Sequence, residues 1–259
     1  KSESGMKDYP GRQHASVCLP AMRRAGVKVA LATLLARYSE GNRPEEGFTR
    51  ANIDYPTLPE AYSAAKAQLE YYKLLEKTGE ISIIKDKKDL NTAWKGGGQI
   101  INPAIIILAE GADFILSPEQ LEEWADDGLR VLGLSHMGDA VYAGGTGSNV
   151  GLKEAGRQLL TEMDRLGVIF DTSHLSEKSF FDALENFDGP LIASHSNCRS
   201  LVPGDRQLSD EQIKALVEKK AVIGISFDGR MLYRHWNDGK SSRSEVGISL
   251  VADHIDHIC

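Results

Sequence analysis

Val168-Ile169-Phe170-Asp171-Thr172-Ser173-His174 and, one helical segment later, Leu191-Ile192-Ala193-Ser194-His195 are two apolar runs that each end in Ser-His. A run that is apolar at nearly every position, rather than at alternate ones, reads as a strand covered on both faces. With their flanks these runs span 168–174 and 190–196, and four more share their character, at 27–36, 104–110, 129–136 and 221–227. Segments of helical spacing lie between and beyond them, at 58–78, 117–127, 150–166, 176–186, 209–219 and 245–258. Strands that return through helices predict an α/β protein built on a parallel sheet. Ser117, Ser176 and Ser209 precede acidic first turns and are expected helix caps, and Gly128, Gly167 and Gly189 follow helices where a left-handed residue is favoured. Tyr71, Leu74 and Leu75 have the spacing of a helix face turned to the core. Stretches 40–59 and 85–98 are rich in turn and charged residues and read as excursions.

Periodicity does not separate a doubly wound sheet from a closed barrel, but the placement of polar residues does. Glu110, His136, His174 and His195 fall at the C-terminal ends of four different strands. In a (β/α)8 TIM barrel that rim carries the active site, whereas a doubly wound sheet concentrates its site at one switch point. The glycine-rich stretch Gly144-Gly145-Thr146-Gly147-Ser148-Asn149-Val150-Gly151 starts several residues after a strand and lacks a Gly-Lys-Ser/Thr ending. It reads as a flexible active-site loop rather than a phosphate cradle.

The 259 residues carry a net charge of −7 with no clustered basic face, which argues against nucleic acid as a partner. The longest apolar run, 104–109, is far short of the roughly 20 residues that cross a bilayer, so no membrane span is expected. Cys18, Cys198 and Cys259 form no Cys-x-x-Cys pair, and a reducing, cytoplasmic compartment is the default. No repeat or shift in composition marks a boundary, so 1–259 reads as a single domain.

One carboxylate and several histidines converging on a barrel rim suit a hydrolytic zinc site, because neutral imidazole and carboxylate bind zinc and leave positions for water. Neighbouring parallel strands lie about 4.8 Å apart, close enough for two rim imidazoles to share one metal. Ser135, Ser173 and Ser194 each precede a histidine, but no Gly-x-Ser-x-Gly elbow accompanies them, so a serine nucleophile is not indicated.

Seven pieces, in this order and spacing, resemble the membrane (renal) dipeptidases, zinc-dependent hydrolases with an amidohydrolase-type barrel. They are Leu108-Ala-Glu-Gly-Ala-Asp113, Leu132-Gly-Leu-Ser-His136, Gly151-Leu-Lys-Glu-Ala-Gly156, Arg165-Leu-Gly-Val-Ile-Phe-Asp-Thr-Ser-His-Leu-Ser176, Ile192-Ala-Ser-His-Ser196, Arg206-Gln-Leu-Ser-Asp-Glu-Gln212 and Ala252-Asp-His-Ile-Asp-His-Ile258. The resemblance implies cleavage of dipeptides by a metal-bound hydroxide, with Glu110 bridging two zinc ions and His174 and His195 completing the second metal's shell. It implies that His136 binds substrate and stabilises the oxyanion, and that Arg206 pairs with the dipeptide's C-terminal carboxylate. A small dipeptide is the implied partner, and a homodimer the implied assembly.

The family's opening strand, with its metal-binding His-x-Asp pair, and its late Gly-Ser-Asp-Phe-Asp-Gly strand are not matched at the two ends of this chain. The six strands therefore correspond to barrel strands two to seven, and the chain reads as truncated at both ends, with one metal or none as the alternative to two. Rival readings are a hydrolase of another amide or lactam on the same metals, and an inactive binding relative without the first metal position. Asp228, in Ile225-Ser-Phe-Asp-Gly229, is expected in a turn, and His254 and His257 on an outer helix away from the rim.

Overall fold

The computed structural model describes residues 17–40, 53–95, 102–238 and 240–259. Its strands are β1 (Val29–Leu34), β2 (Arg37–Tyr38), β3 (Asp54–Tyr55), β4 (Ser82–Ile83), β5 (Ala104–Glu110), β6 (Leu129–Gly133), β7 (Ile169–Asp171), β8 (Leu191–Ala193) and β9 (Val222–Ile223). The principal sheet runs β1-β5-β6-β7-β8-β9, with every pairing parallel, and it curls as part of a (β/α)8 barrel. β4 pairs with Ala104 and Ile105 of β5, the residues that pair with β1 on the other side, so β4 and β6 share one edge of β5. A separate parallel pair joins β2 to β3. Parts of the two expected excursions and the first 16 residues lie outside the described residues.

The strands form where the apolar runs place them, but they are shorter. β7 and β8 keep three residues each, because Thr172 to Leu175 and Ser194 to Ser196 leave the ladder for turns that carry the histidines. The core lies between sheet and helices and holds Leu34, Ile107, Leu132, Phe170, Trp124 and Phe180 without solvent exposure. Trp124 packs edge-on against Tyr62, with centroids 5.7 Å apart, and tilted on Phe114 at 4.8 Å.

Several local expectations are corrected. Helix Leu58–Lys77 buries Ala61, Ala65 and Leu69, while Tyr71 and Leu74 are 58% and 54% exposed. Of the three residues expected on the core face, Leu75 alone is partly buried and packed against the core. The segment after β4 forms helix Lys87–Lys95 instead of an open excursion. Ser117 makes no side-chain cap, and residues 150–153 stay out of helix Glu154–Leu166 because Leu152 bridges to Ala143. Gly128 and Gly167 have positive φ, but Gly189 does not, and its missing Cβ instead makes room for the Phe187 ring.

Two caps form as the sequence predicts. Ser176 accepts from Ser179 N, and Ser209 forms a full capping box with Gln212 on helix Asp210–Glu218. Replacing Ser209 by Ala removes the acceptor of one N-terminal amide, so we expect a loss of about 1 kcal/mol. That corresponds to a fall of about 2–4 °C in melting temperature for a chain this size, read by calorimetry.

Candidate metal centre

Each site residue stands at or just past a strand end. Glu110 is the last residue of β5, His136 follows β6 by three residues, His174 follows β7 by three, and His195 follows β8 by two. Glu110 Oε1 lies 2.9 Å from His174 Nε2 and 2.9 Å from His195 Nε2, and the two imidazole nitrogens are 3.1 Å apart. His136 Nε2 is farther from Glu110, at 3.8 Å, and its ring stacks on His174 with centroids 4.1 Å apart. A tetrahedral zinc with bonds of 2.0–2.2 Å places its ligands roughly 3.3–3.6 Å from one another. The Glu110, His174 and His195 atoms sit slightly inside that spacing, so the donor set fits a metal ion with little movement. Glu110, His136 and His174 also form a group whose ligand atoms lie within 4.8 Å of one another, so proximity alone does not say which histidines coordinate.

The electrostatics are those of a carboxylate surrounded by donors. Burial alone would raise the Glu110 carboxyl pKa, but hydrogen bonds from His174 and His195 prevail and hold it well below the usual carboxylate range. Burial pushes His136 down to about 4, with the positive fields of Arg37 and Arg206 acting in the same direction, so it is neutral at pH 7. Burial also lowers His174, and Glu110 only partly offsets it.

Behind the histidines lies a network of hydroxyls and one buried carboxylate. Asp171, at the end of β7, accepts from Ser173 N at 3.0 Å and Ser194 N at 2.9 Å through Oδ1, and from the Ser194 hydroxyl through Oδ2. It thereby ties the β7 and β8 turns together. Ser194 Oγ lies 2.7 Å from His195 Nδ1. On the other side Thr146 Oγ1 donates to the His174 carbonyl at 3.2 Å and lies 3.4 Å from its Nδ1. His174 has φ of 68°, a left-handed conformation that costs a non-glycine residue of order 1–3 kcal/mol and that the surrounding bonds maintain.

The glycine-rich loop is braced, not free. Thr146 N donates to His136 O at 3.0 Å, Gly145 N to Gly138 O at 2.7 Å, and Ser176 N to Gly144 O at 2.9 Å. It opens no helix at its glycines, since Glu154 is the first residue of the next one.

The family model for membrane dipeptidases (peptidase family M19) matches residues 4–259. The chain belongs to that family. It is similar to a crystal structure of a metallopeptidase from Rhodobacter sphaeroides liganded with a phosphinate mimic of the dipeptide L-Ala-D-Ala, at 26% identity and TM-score 0.77, over 93% of this chain and 72% of that one. It is likewise similar to the metallopeptidase dipeptidase AC, at 25% identity and TM-score 0.77, over 93% of this chain and 70% of that one. Dipeptidase tcpJ of Claviceps purpurea is 33% identical over 135 residues, 51% of this chain and 30% of that protein. The matches span 51%, 42% and 30% of the lengths of three curated relatives.

Other residues singled out in the sequence now have places. Arg206 is largely enclosed beside the cluster, donating to His195 O at 2.5 Å and to Ser196 Oγ at 3.3 Å. Asp228 caps helix Gly229–Leu232 by accepting from Arg230 N. The chain does contain one His-x-Asp triplet, His254-Ile255-Asp256, but it lies on helix Ile248–Ile258. There His254 Nδ1 accepts from Cys198 N at 3.1 Å, which is a packing role. His257 pairs with Asp210 at 2.8 Å. No helix among the described residues is long and apolar enough to cross a membrane.

Sequence reasoning missed Arg37. It lies on β2 and donates bidentately to Asp54, Nε to Oδ1 at 2.6 Å and Nη2 to Oδ2 at 2.8 Å, while its Nη1 reaches His136 Nδ1 at 3.2 Å.

Proposed function

We propose that this chain carries the metal-binding rim of a zinc metallodipeptidase. The observation that carries the reading is the convergence of Glu110 Oε1, His174 Nε2 and His195 Nε2 to within 3.1 Å of one another at the ends of β5, β7 and β8. Glu110, His174 and His195 would hold the metal, with Glu110 shared between two zinc ions. Bound zinc supplies Lewis-acid polarisation of a carbonyl and acidification of a water molecule.

The protein's own residues account for orientation and charge. Neutral His136 presents a donor where negative charge develops on the scissile carbonyl oxygen, an interaction stronger in the transition state than in the ground state. Arg206 supplies the anchor. Burial lowers its pKa to about 10, which leaves it cationic at neutral pH. Among the described residues it has no carboxylate within ion-pair distance, so its charge awaits an anion. A dipeptide's free C-terminal carboxylate matches that planar fork.

The test is release of free amino acids from a dipeptide panel that includes L-Ala-D-Ala, with Zn²⁺ added and then removed by a chelator. Zinc-dependent cleavage supports the reading; a zinc-loaded chain that cleaves no dipeptide overturns it. Arg206→Ala should lower the preference for free over C-terminally amidated dipeptides by about 10–100-fold, the worth of one charge-assisted pair. An unchanged ratio would remove Arg206 from carboxylate recognition.

A further inference from the structure

Three imidazoles face one carboxylate, and distance does not assign their roles. The partners of their Nδ1 atoms do. A guanidinium has five N–H donors and no acceptor, so whatever it hydrogen-bonds must accept. Arg37 Nη1 lies 3.2 Å from His136 Nδ1, which therefore carries the lone pair, and the proton of the neutral ring is on Nε2. His195 has the opposite arrangement. The single Ser194 hydroxyl proton goes to the Asp171 carboxylate, which only accepts, so Ser194 Oγ is left to accept from His195 Nδ1–H. The Thr146 hydroxyl proton is likewise committed to the His174 carbonyl, leaving Oγ1 to accept from His174 Nδ1–H. Once a metal takes the place of the proton that faces Glu110, His174 and His195 are thus set up to offer it an Nε2 lone pair, and His136 is set up to offer an N–H.

We propose that Arg37, held by Asp54, is a positioning residue that locks His136 in its Nε2–H tautomer, so that His136 meets the substrate as a hydrogen-bond donor and is kept from ligating the metal. The inference rests on the dipeptidase reading for its consequence, but not for its geometry.

Arg37 is built to hold this pose. Its backbone N donates to Ile53 O at 2.7 Å, and the adjacent Tyr38 N donates to the buried carboxylate of Asp113 at 3.0 Å. Asp113 also accepts from Val141 N at 2.9 Å, which fastens the β2 segment to the loop after His136. With Nε and Nη2 both committed to Asp54, Nη1 is left facing His136. A lysine has no fork and cannot hold Asp54 at two oxygens while reaching the ring.

The test is the tautomer itself, read from long-range proton–nitrogen correlations of the histidine rings in the ¹⁵N-labelled full chain, metal-free and then titrated with Zn²⁺ alone. The expected spectrum has His136 protonated at Nε2 in both states, while Zn²⁺ shifts Nε2 of His174 and His195. In Arg37→Met the His136 pattern should change to Nδ1–H or a mixture, with turnover down about 10²-fold, KM within about threefold and Zn²⁺ affinity not weakened. Arg37→Lys should restore the Nε2–H pattern only in part. By contrast Ser194→Ala should weaken Zn²⁺ binding about 10–100-fold, as loss of a partner behind a metal-binding histidine does.

A wild-type His136 protonated at Nδ1, or His136 responding to Zn²⁺ as a ligand, overturns the proposal without any variant. A rise in KM with the tautomer unchanged in Arg37→Met overturns it in favour of direct substrate contact. Failure of the dipeptidase reading leaves the tautomer result standing, so the two failures are distinguishable.

Discussion

The paired variant His174→Ala, His195→Ala is expected to lose its metal outright. Elemental analysis of the purified wild-type chain after dialysis against trace zinc should show near-stoichiometric metal, and the variant background only. The reason is the geometry of the donor set. Three ligand atoms lie 2.9–3.1 Å from one another, and deleting both imidazoles leaves Glu110 as the sole member of that set. A single carboxylate does not compete with water for zinc at micromolar concentration, so the affinity should fall by about 10³-fold or more, given that even partners behind the ligands contribute 10–100-fold. The deletion also strips Glu110 of the two donors that hold its pKa down, leaving a half-buried carboxylate with only His136 Nε2 nearby, at 3.8 Å. His174→Asn, His195→Asn keeps donors toward Glu110 and separates loss of the metal from loss of the fold. Zinc retained at wild-type stoichiometry in both variants would place the metal elsewhere and remove the basis of the proposed chemistry.

That Glu110, His174 and His195 meet at one rim was legible because strand and chemistry coincide in the chain. Glu110 ends an apolar run, and His174 and His195 each follow one, so a parallel sheet brings them to one rim before any side chain is placed. β4 was not legible, because its two residues, Ser82 and Ile83, are too few to show a period. Helix Lys87–Lys95 was hidden for a related reason. Its apolar face is one short patch, Leu90, Ala93 and Trp94, set among lysines and buried nowhere, so the charged residues dominate the reading. Arg37 escaped for a third reason: its partners, Asp54 and His136, lie 17 and 99 residues away, and a lone arginine at the end of an apolar run carries no local signal. The serines before the histidines carry no nucleophile signature, and the role of Ser194, which bridges His195 to Asp171, shows only in the fold. Periodicity reports burial, and partners that meet only through tertiary folding leave no trace in it.

Gly145→Ala should cost more activity than its one added methyl suggests. A Cβ at Gly145 would lie 2.6 Å from His136 O and 2.9 Å from His136 C, backbone atoms that no rotamer change can move aside. The φ of Gly145 is not positive, so alanine is acceptable in conformation, and the effect is purely one of space. To relieve it the loop must retreat from His136 and lengthen the Thr146 N to His136 O bond, or His136 must shift with its ring. Either movement disturbs the contact that keeps His136 beside Arg37, or the one that keeps Thr146 beside His174. Overpacking of this kind costs about 1–3 kcal/mol of stability. A displacement near 1 Å of an oriented donor costs about 10²-fold in turnover. Gly147→Ala is the control. Its φ of 81° makes alanine strained, but nothing lies within 4 Å of the added Cβ. It should therefore lose about 1 kcal/mol of stability and keep its turnover. Melting temperature and turnover measured on both variants separate the two effects: equal turnover in Gly145→Ala and Gly147→Ala would mean that the loop's close approach to His136 does not set the geometry of the site.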